Sequence, residues 1–172
     1  MSAVEPIDDA IAKAARQYGD KFAWADVTSI ELALRLRATS NAIHASNQRL
    51  FNANGFERAA GRVGVLRVLY FSNAGRMTQT EISTQMQVAP ANVSYLIEGL
   101  ERDGLVARTP HETDRRVTWV QLTSEGDKIF SELAPAMTAH LGSLGAGFSE
   151  DERRLFSSFL QRLRENADSA ES

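Results

Sequence analysis

Residues 78–106, TQTEISTQMQVAPANVSYLIEGLERDGLV, contain two helix patterns separated by a short turn. The first begins at a capping box, in which the Thr78 hydroxyl and the Glu81 carboxylate would satisfy each other's orphan backbone amides. Pro90 then predicts the start of a second helix, and Gly104 its end. This helix carries apolar residues at helical spacing: Val93, Leu96, Ile97 and Leu100. A short capped helix, a tight turn and an amphipathic helix form a helix-turn-helix.

The segment that follows changes to an alternating, β-branched pattern. Residues 105–109 and 117–122 predict two strands, and the polar segment 110–116 predicts the tip of a hairpin between them. A hairpin directly after a helix-turn-helix makes a winged helix-turn-helix. This shape suits DNA, because a helix fits the major groove and an arginine-bearing arm can enter the minor groove.

Helices are predicted on both sides of this module. Residues 6–22 predict a short amphipathic helix that has Pro6 as its first residue and ends near Gly19. A capping box at Thr28–Glu31 predicts the start of a long helix that ends near Gly55.

Three further helices are predicted in the rest of the chain. Residues 63–70 carry one, and Thr123 or Ser124 opens another that contains Pro135. A third capping box, Ser149–Glu152, opens the last helix. The fold class is therefore mainly α with a small β-hairpin wing: a winged helix-turn-helix plus a helical dimerisation region, because long apolar seams often pair with a second chain.

Composition excludes several classes of function. The 172 residues include no cysteine, so the chain has no disulfide, thiolate zinc site, iron–sulfur cluster or thiol switch. The three histidines lie far apart, and no phosphate-binding glycine loop or nucleophile elbow occurs, so we expect no metal, no cofactor and no enzyme activity. The acidic N-terminus does not look like a signal peptide, and no apolar run of about eighteen residues occurs, so we expect a cytoplasmic protein.

Charge alone does not predict a nucleic-acid partner. The chain has a net charge of −3, and residues 75–122 hold five arginines against six acidic residues. The prediction of DNA binding therefore rests on the motifs, and we expect modest, salt-dependent non-specific affinity.

Residues 61–124 resemble the MarR family (multiple antibiotic resistance regulators), which are bacterial winged-helix transcription factors. Five segments carry the resemblance: Gln79–Ile82, Val88–Ser94, Leu100–Val106, Asp114–Arg116 and Val120–Gly126. Including the flanking helices, the resemblance covers about residues 27–165.

The resemblance implies a homodimer that binds a pseudo-palindromic DNA operator, with half-site centres about 10 base pairs apart. It implies a helical dimerisation region at 27–58 and 123–166 and a winged helix-turn-helix DNA-binding domain at 59–122. An N-terminal extension (1–26) and a frayed tail (167–172) lie outside these. A repressor is favoured over an activator.

The resemblance also assigns DNA-contacting residues. The recognition helix would present Pro90, Ala91, Asn92, Ser94 and Tyr95. Asn92 suits a two-pronged contact with adenine, or else caps or solvates the helix start. Tyr95 and Ala91 depart from the family, which commonly has Arg and Ser or Thr there.

Further DNA contacts are assigned to the first helix and to the wing. Thr78 and Gln79 suit phosphate contacts, although Thr78 can equally be only a cap. Arg108 suits a backbone contact. Asp114 would position an arginine, with Arg116 entering the minor groove and Arg115 nearer phosphate, or the reverse.

Many family members are released from DNA by a small phenolic or aromatic-acid ligand. Candidates on the corresponding segments are Trp24, Arg37, His44, Asn47, Arg62, Arg67 and Tyr70. Each has a structural alternative, such as core packing, interface hydrogen bonding or ion pairing. A ligand-independent regulator and a winged-helix protein-interaction module remain open alternatives.

Overall fold

The structure of the protein is a computed structural model that describes residues 6–56, 60–110 and 117–170. The chain divides into two compact units, residues 1–60 and residues 61–172. Most described residues are helical, and the fold class predicted from the sequence is confirmed. No helix among the described residues is long and apolar enough to span a membrane.

The first unit contains α1 (Ile7–Lys21) and α2 (Val27–Ala53), which pack against each other. Helix α1 buries Ile11 and Ala15, and it continues two residues beyond Gly19, where the sequence predicts its end. Pro6 is the N-cap residue and not the first helical residue as predicted.

Helix α2 begins at a different cap from the predicted one. Asp26 is the N-cap, and its carboxylate accepts hydrogen bonds from the backbone amides of Thr28 and Ser29 at 3.1 and 3.2 Å. The hydrogen bond from the Ser29 hydroxyl, with those from the two amides, lowers the pKa of Asp26. The capping box predicted at Thr28–Glu31 is therefore wrong, because an aspartate two residues earlier provides a charged cap. Glu31 instead pairs with Arg35.

The second unit holds a small sheet between helices. Its helices are α3 (Ala60–Tyr70), α4 (Gln79–Met86), α5 (Pro90–Arg102), α6 (Ser124–Leu144) and α7 (Glu150–Ala170). Its strands are β1 (Arg76–Thr78), β2 (Val106–Pro110) and β3 (Thr118–Leu122), in the antiparallel order β1-β3-β2. The sequence predicts a two-stranded hairpin and misses β1, because three residues are too few to show an alternating pattern.

Helix α3 is buried on most of its surface. Val63, Val65, Leu66, Val68 and Leu69 are each at most 1% exposed. Helices α4 and α5 approach it closely, since a Cβ built on Gly64 would lie 2.8 Å from Met86 and one on Gly61 would lie 3.0 Å from Leu96. A helix that is apolar on most sides belongs in the core of its unit.

The last helix begins as predicted and extends further. The amide of Ser149 donates to the Glu152 carboxylate at 2.7 Å, and the amide of Glu152 donates to the Ser149 hydroxyl at 3.3 Å, which confirms the predicted capping box. The helix then continues to Ala170, into the segment expected to fray, because no glycine or proline follows Glu152 to end it.

A compact junction joins the end of α5, the sheet and α6. Thr123 donates its backbone amide to the Leu105 carbonyl at 3.1 Å and its hydroxyl to the Gly104 carbonyl at 2.7 Å. The same hydroxyl accepts the amide of Gly126 at 3.1 Å and so caps α6. A Cβ at Gly126 would lie 1.9 Å from the Leu105 carbonyl oxygen, so only glycine fits this approach.

Replacing Gly126 with alanine should therefore destabilise the protein. The new methyl group would overlap backbone and not a movable side chain, and we expect a loss of about 1–3 kcal/mol in the free energy of unfolding. Gly142→Ala in the same helix is the control, because a Cβ there meets nothing within 4 Å. That change should stabilise by up to about 1 kcal/mol through helix propensity. Equal unfolding midpoints for the two variants in urea titrations at one protein concentration would contradict this account.

Candidate nucleic-acid interface

Helix α5 presents one apolar face to the core and one polar face to solvent. Val93, Ile97 and Leu100 are fully buried. The opposite side exposes the predicted contact residues Pro90, Ala91, Asn92 and Tyr95, of which Tyr95 is 75% exposed. Ser94 is half-buried and donates a hydrogen bond to Glu98 at 3.2 Å. The exposed face therefore has the shape and polarity of a recognition helix.

The sequence left open whether Asn92 caps α5, and the start of this helix shows that it does not. The N-cap residue is Ala89, which has no side-chain cap, and Pro90 is the first helical residue. Asn92 is thus not the helix cap, and its amide lies on the exposed first turn. An exposed amide next to the positive end of a helix dipole is well placed to meet a base edge.

The turn between α4 and α5 is held by side chains. Gln79 donates its amide to the Pro90 carbonyl at 3.1 Å, and Ser83 donates its hydroxyl to the Val88 carbonyl at 2.6 Å. Gln87 lies in the left-handed region, with a φ of 54°. The amide of Gln79, which the sequence assigns to phosphate, thus also connects the two helices.

Thr78 acts as a helix cap, as one of its two predicted roles requires. Its hydroxyl accepts the amide of Glu81 at 3.2 Å, and the Glu81 carboxylate accepts the amide of Thr78 at 2.7 Å. The capping box predicted for α4 is confirmed. A phosphate at this helix start would also lie close to the Glu81 carboxylate, which opposes it.

The described part of the wing contains Arg108, which is exposed on β2 and pairs with Glu101 of α5 at 3.3 Å. The tip residues to which the sequence assigns minor-groove and phosphate contacts, Asp114, Arg115 and Arg116, lie outside the described residues.

Acidic side chains on α5 are concentrated in its second half. Glu101 pairs with Arg108, and Asp103 at the helix end pairs with Arg62 of α3. The first two turns, residues 90–97, carry no charged side chain. The negative balance of the module is therefore absent from the end of the helix that would face DNA.

The seven residues predicted from the sequence to contact a ligand lie in both units. In the first, Trp24 is 84% exposed and its ring lies 5.4 Å from Phe22. Arg37 and His44 are also exposed, and Asn47 is half-buried. A surface cavity of about 290 Å³ on α1 is lined by none of the seven candidates but by Gln17, Tyr18, Lys21 and Phe22.

In the second unit the three candidates on α3 differ in their surroundings. Arg62 pairs with Asp103 and donates a hydrogen bond to the Gly99 carbonyl, so it connects α3 to the end of α5. Arg67 is exposed, and the ring of Tyr70 lies 4.8 Å from that of Phe130. Among the described residues no cluster of three or more His, Asp or Glu could hold a metal ion.

Comparisons with known proteins agree with this architecture. The family model of the MarR family matches residues 64–118, which run from α3 to β3. Residues 64–118 therefore contain a MarR-family domain. Relatives of this chain are named for transcriptional control. The chain is 27% identical over 149 residues to the HTH-type transcriptional repressor YetL of Bacillus subtilis, covering 87% of this chain and 88% of that protein.

A second relative is the HTH-type transcriptional regulator PrsX of Escherichia coli, which is 30% identical over 108 residues. That match covers 63% of this chain and 65% of PrsX. Such names describe regulators and not enzymes, which agrees with the class expected from the sequence.

Solved structures share the fold of this chain. A Staphylococcus aureus MepR–DNA complex has a TM-score of 0.71 at 21% identity, covering 78% of this chain and 96% of that one. The PcaV transcriptional regulator from Streptomyces coelicolor, in complex with its natural ligand, has a TM-score of 0.62 at 19% identity, covering 80% and 92%.

Sequence reasoning missed one feature near this surface. The guanidinium carbon of Arg76 on β1 lies 4.7 Å from the ring centroid of Trp119 on β3. Because β1 was not predicted, the two residues could not be brought together from the sequence. A tryptophan at an alternating strand position was the only signal available.

Proposed function

We propose that this MarR-family protein is a sequence-specific DNA-binding transcriptional regulator, a repressor that acts as a homodimer on a pseudo-palindromic operator. The observation that carries the proposal is the exposed, uncharged first half of α5, held rigidly on a winged helix-turn-helix. Asn92 supplies the base contact, and the two wing arginines reach the adjacent minor groove and phosphate.

The shape of α5 supports DNA as the partner. Its buried residues anchor the helix along one side, so the exposed side can enter a major groove without rearrangement of the core. The similarity in fold to MepR, whose structure was solved with DNA, supports the same use of this surface.

Helix α7 supports the homodimer. Leu155, Phe156, Phe159 and Leu160 are between 39% and 56% exposed and lie on one side of the helix. A monomeric soluble protein rarely exposes a continuous apolar stripe of this kind, which marks an interface. A second copy would cover the stripe about a two-fold axis, and the same axis would place two recognition helices on two half-sites.

We further propose that a small phenolic or aromatic acid releases the protein from DNA. Each unit offers an aromatic ring with cationic groups among its candidates, Trp24 with Arg37 in the first and Tyr70 with Arg67 in the second, and an aromatic anion needs that chemistry. The ligand-bound PcaV structure supports a ligand-responsive regulator of this fold.

Asn92→Ala tests the base contact. Removal of a two-pronged contact should reduce operator affinity by about 1–3 kcal/mol and relax the preference at one base position, while leaving random-duplex binding intact. Arg115→Ala is the comparison, because loss of a phosphate contact should weaken all sequences alike and reduce the salt slope by about one per subunit. Fluorescence anisotropy on selected palindromic and random duplexes measures both. If both variants lost affinity equally on specific and random DNA, the assignments would be wrong.

Phe159→Glu tests the dimer. A buried carboxylate in the apolar stripe should shift the protein to monomer, measured by light scattering after size-exclusion chromatography, and should abolish operator binding. Ser157→Glu, at an exposed position away from the stripe, is the matched control and should remain dimeric. A Phe159→Glu protein that stayed dimeric at low micromolar concentration would show that another surface forms the interface.

A ligand screen tests release. In the same anisotropy titration with benzoate, hydroxybenzoates and simple phenols, we expect at least one compound to weaken operator binding about 5- to 150-fold. Acetate, which carries the charge without the ring, should have no effect. Operator binding that no compound disturbs would favour a ligand-independent regulator. The absence of specific DNA binding under any condition would favour the protein-interaction module.

A further inference from the structure

The strand register places Arg76 and Trp119 on the same face of the sheet. Thr78 lies opposite Trp119, and Arg76 lies opposite Gln121 on the same pair of strands. Directly opposed residues share a face, and neighbours along a strand point to opposite faces. Val120 is 1% exposed and marks the core face. The Arg76 and Trp119 side chains therefore belong to the outer face.

The two side chains are in contact across the strands. A distance of 4.7 Å from the guanidinium carbon to the ring centroid is within the range of a cation–π interaction. Both residues are half-buried. A guanidinium that lies over an aromatic ring still directs N–H groups outward from its edges, and the ring restricts its motion, so less entropy is lost when it binds an anion.

This pair lies where the wing meets the helix-turn-helix. Trp119 is opposite Thr78, the N-cap of α4, on one side and opposite Thr109 of β2 on the other. A duplex that takes α5 in its major groove and the wing in the next minor groove must pass a phosphate strand between these two elements.

We propose that Arg76, held by Trp119, is a DNA phosphate contact at the junction of the wing and α4. This inference rests on the proposed DNA-binding function. It adds a cation that the sequence motifs do not assign, on the strand that the sequence did not predict. Trp119 is a positioning residue, which restrains the guanidinium without touching DNA. The contact also offsets the Glu81 carboxylate, which opposes a phosphate at the start of α4.

The test measures duplex affinity against salt concentration for the 172-residue protein. Arg76→Ala should weaken specific and random duplexes alike, about tenfold near 0.1 M salt, and reduce the slope of log affinity against log salt by about 0.9 per subunit. Arg76→Lys should keep most of the slope because it keeps the charge. Arg16→Ala, which removes an exposed arginine from α1, is the control of equal charge and should match the wild type.

Trp119 variants separate positioning from contact. Trp119→Phe, which keeps a ring under the guanidinium, should bind within about twofold of the wild type, whereas Trp119→Leu should bind several-fold more weakly with most of its salt slope intact. Thermal unfolding checks that each variant folds. If the Arg76→Ala variant does not fold, Arg76→Gln removes the same charge with less loss of packing.

Three outcomes distinguish the possibilities. Equal affinity and slope for Arg76→Ala and Arg16→Ala, with a wild type that binds its operator, would overturn the inference. A loss of affinity in Arg76→Ala with an unchanged salt slope would also overturn the inference, since Arg76 would then act only by holding the wing in place. A wild type that binds no duplex would instead refute the proposed function.

Discussion

The structure of the second unit depends on the hydrogen bonds around Thr123. The Thr123 hydroxyl caps α6 by accepting the backbone amide of Gly126. The hydroxyl and the backbone amide of Thr123 also donate to the carbonyls of Gly104 and Leu105, which follow the end of α5. Gly104, with a φ of 72°, turns the chain from α5 into β2. The angle between α5, the sheet and α6 is thus set within a few residues. Any dimer contact made by α6 is consequently connected to the helix proposed to read DNA.

Charge placement explains how a module with more acidic residues than arginines can still approach DNA. The acids of α5 lie in its second half, where Arg62 and Arg108 neutralise two of them. These ion pairs are partly exposed and contribute little stability. The exposed first turns of the helix carry no charged side chain and include the positive end of the helix dipole. Net charge is therefore a poor guide to function for this protein.

Local signals in the sequence differed in reliability for physical reasons. The capping boxes at Thr78 and Ser149 were confirmed, because each threonine or serine has its glutamate three residues on and no stronger competitor beside it. The box at Thr28 was wrong because Asp26 supplies a charged acceptor two residues earlier. The exposed residues of α5 were predictable from the apolar spacing of the helix, but the pairing of Arg62 and Arg108 with its acids was not.

By itself, the sequence determined the order of helices, the hairpin, and the residues that face outward on α5, since caps and hydrophobic period act over three or four residues. Only the tertiary structure decided where β1 pairs, because strand pairing joins residues more than forty positions apart. It also decided which side chains the arginines contact: Arg62 pairs with Asp103, Arg108 pairs with Glu101, and Arg76 lies over the ring of Trp119. Those contacts arise from packing between elements, which no local pattern encodes.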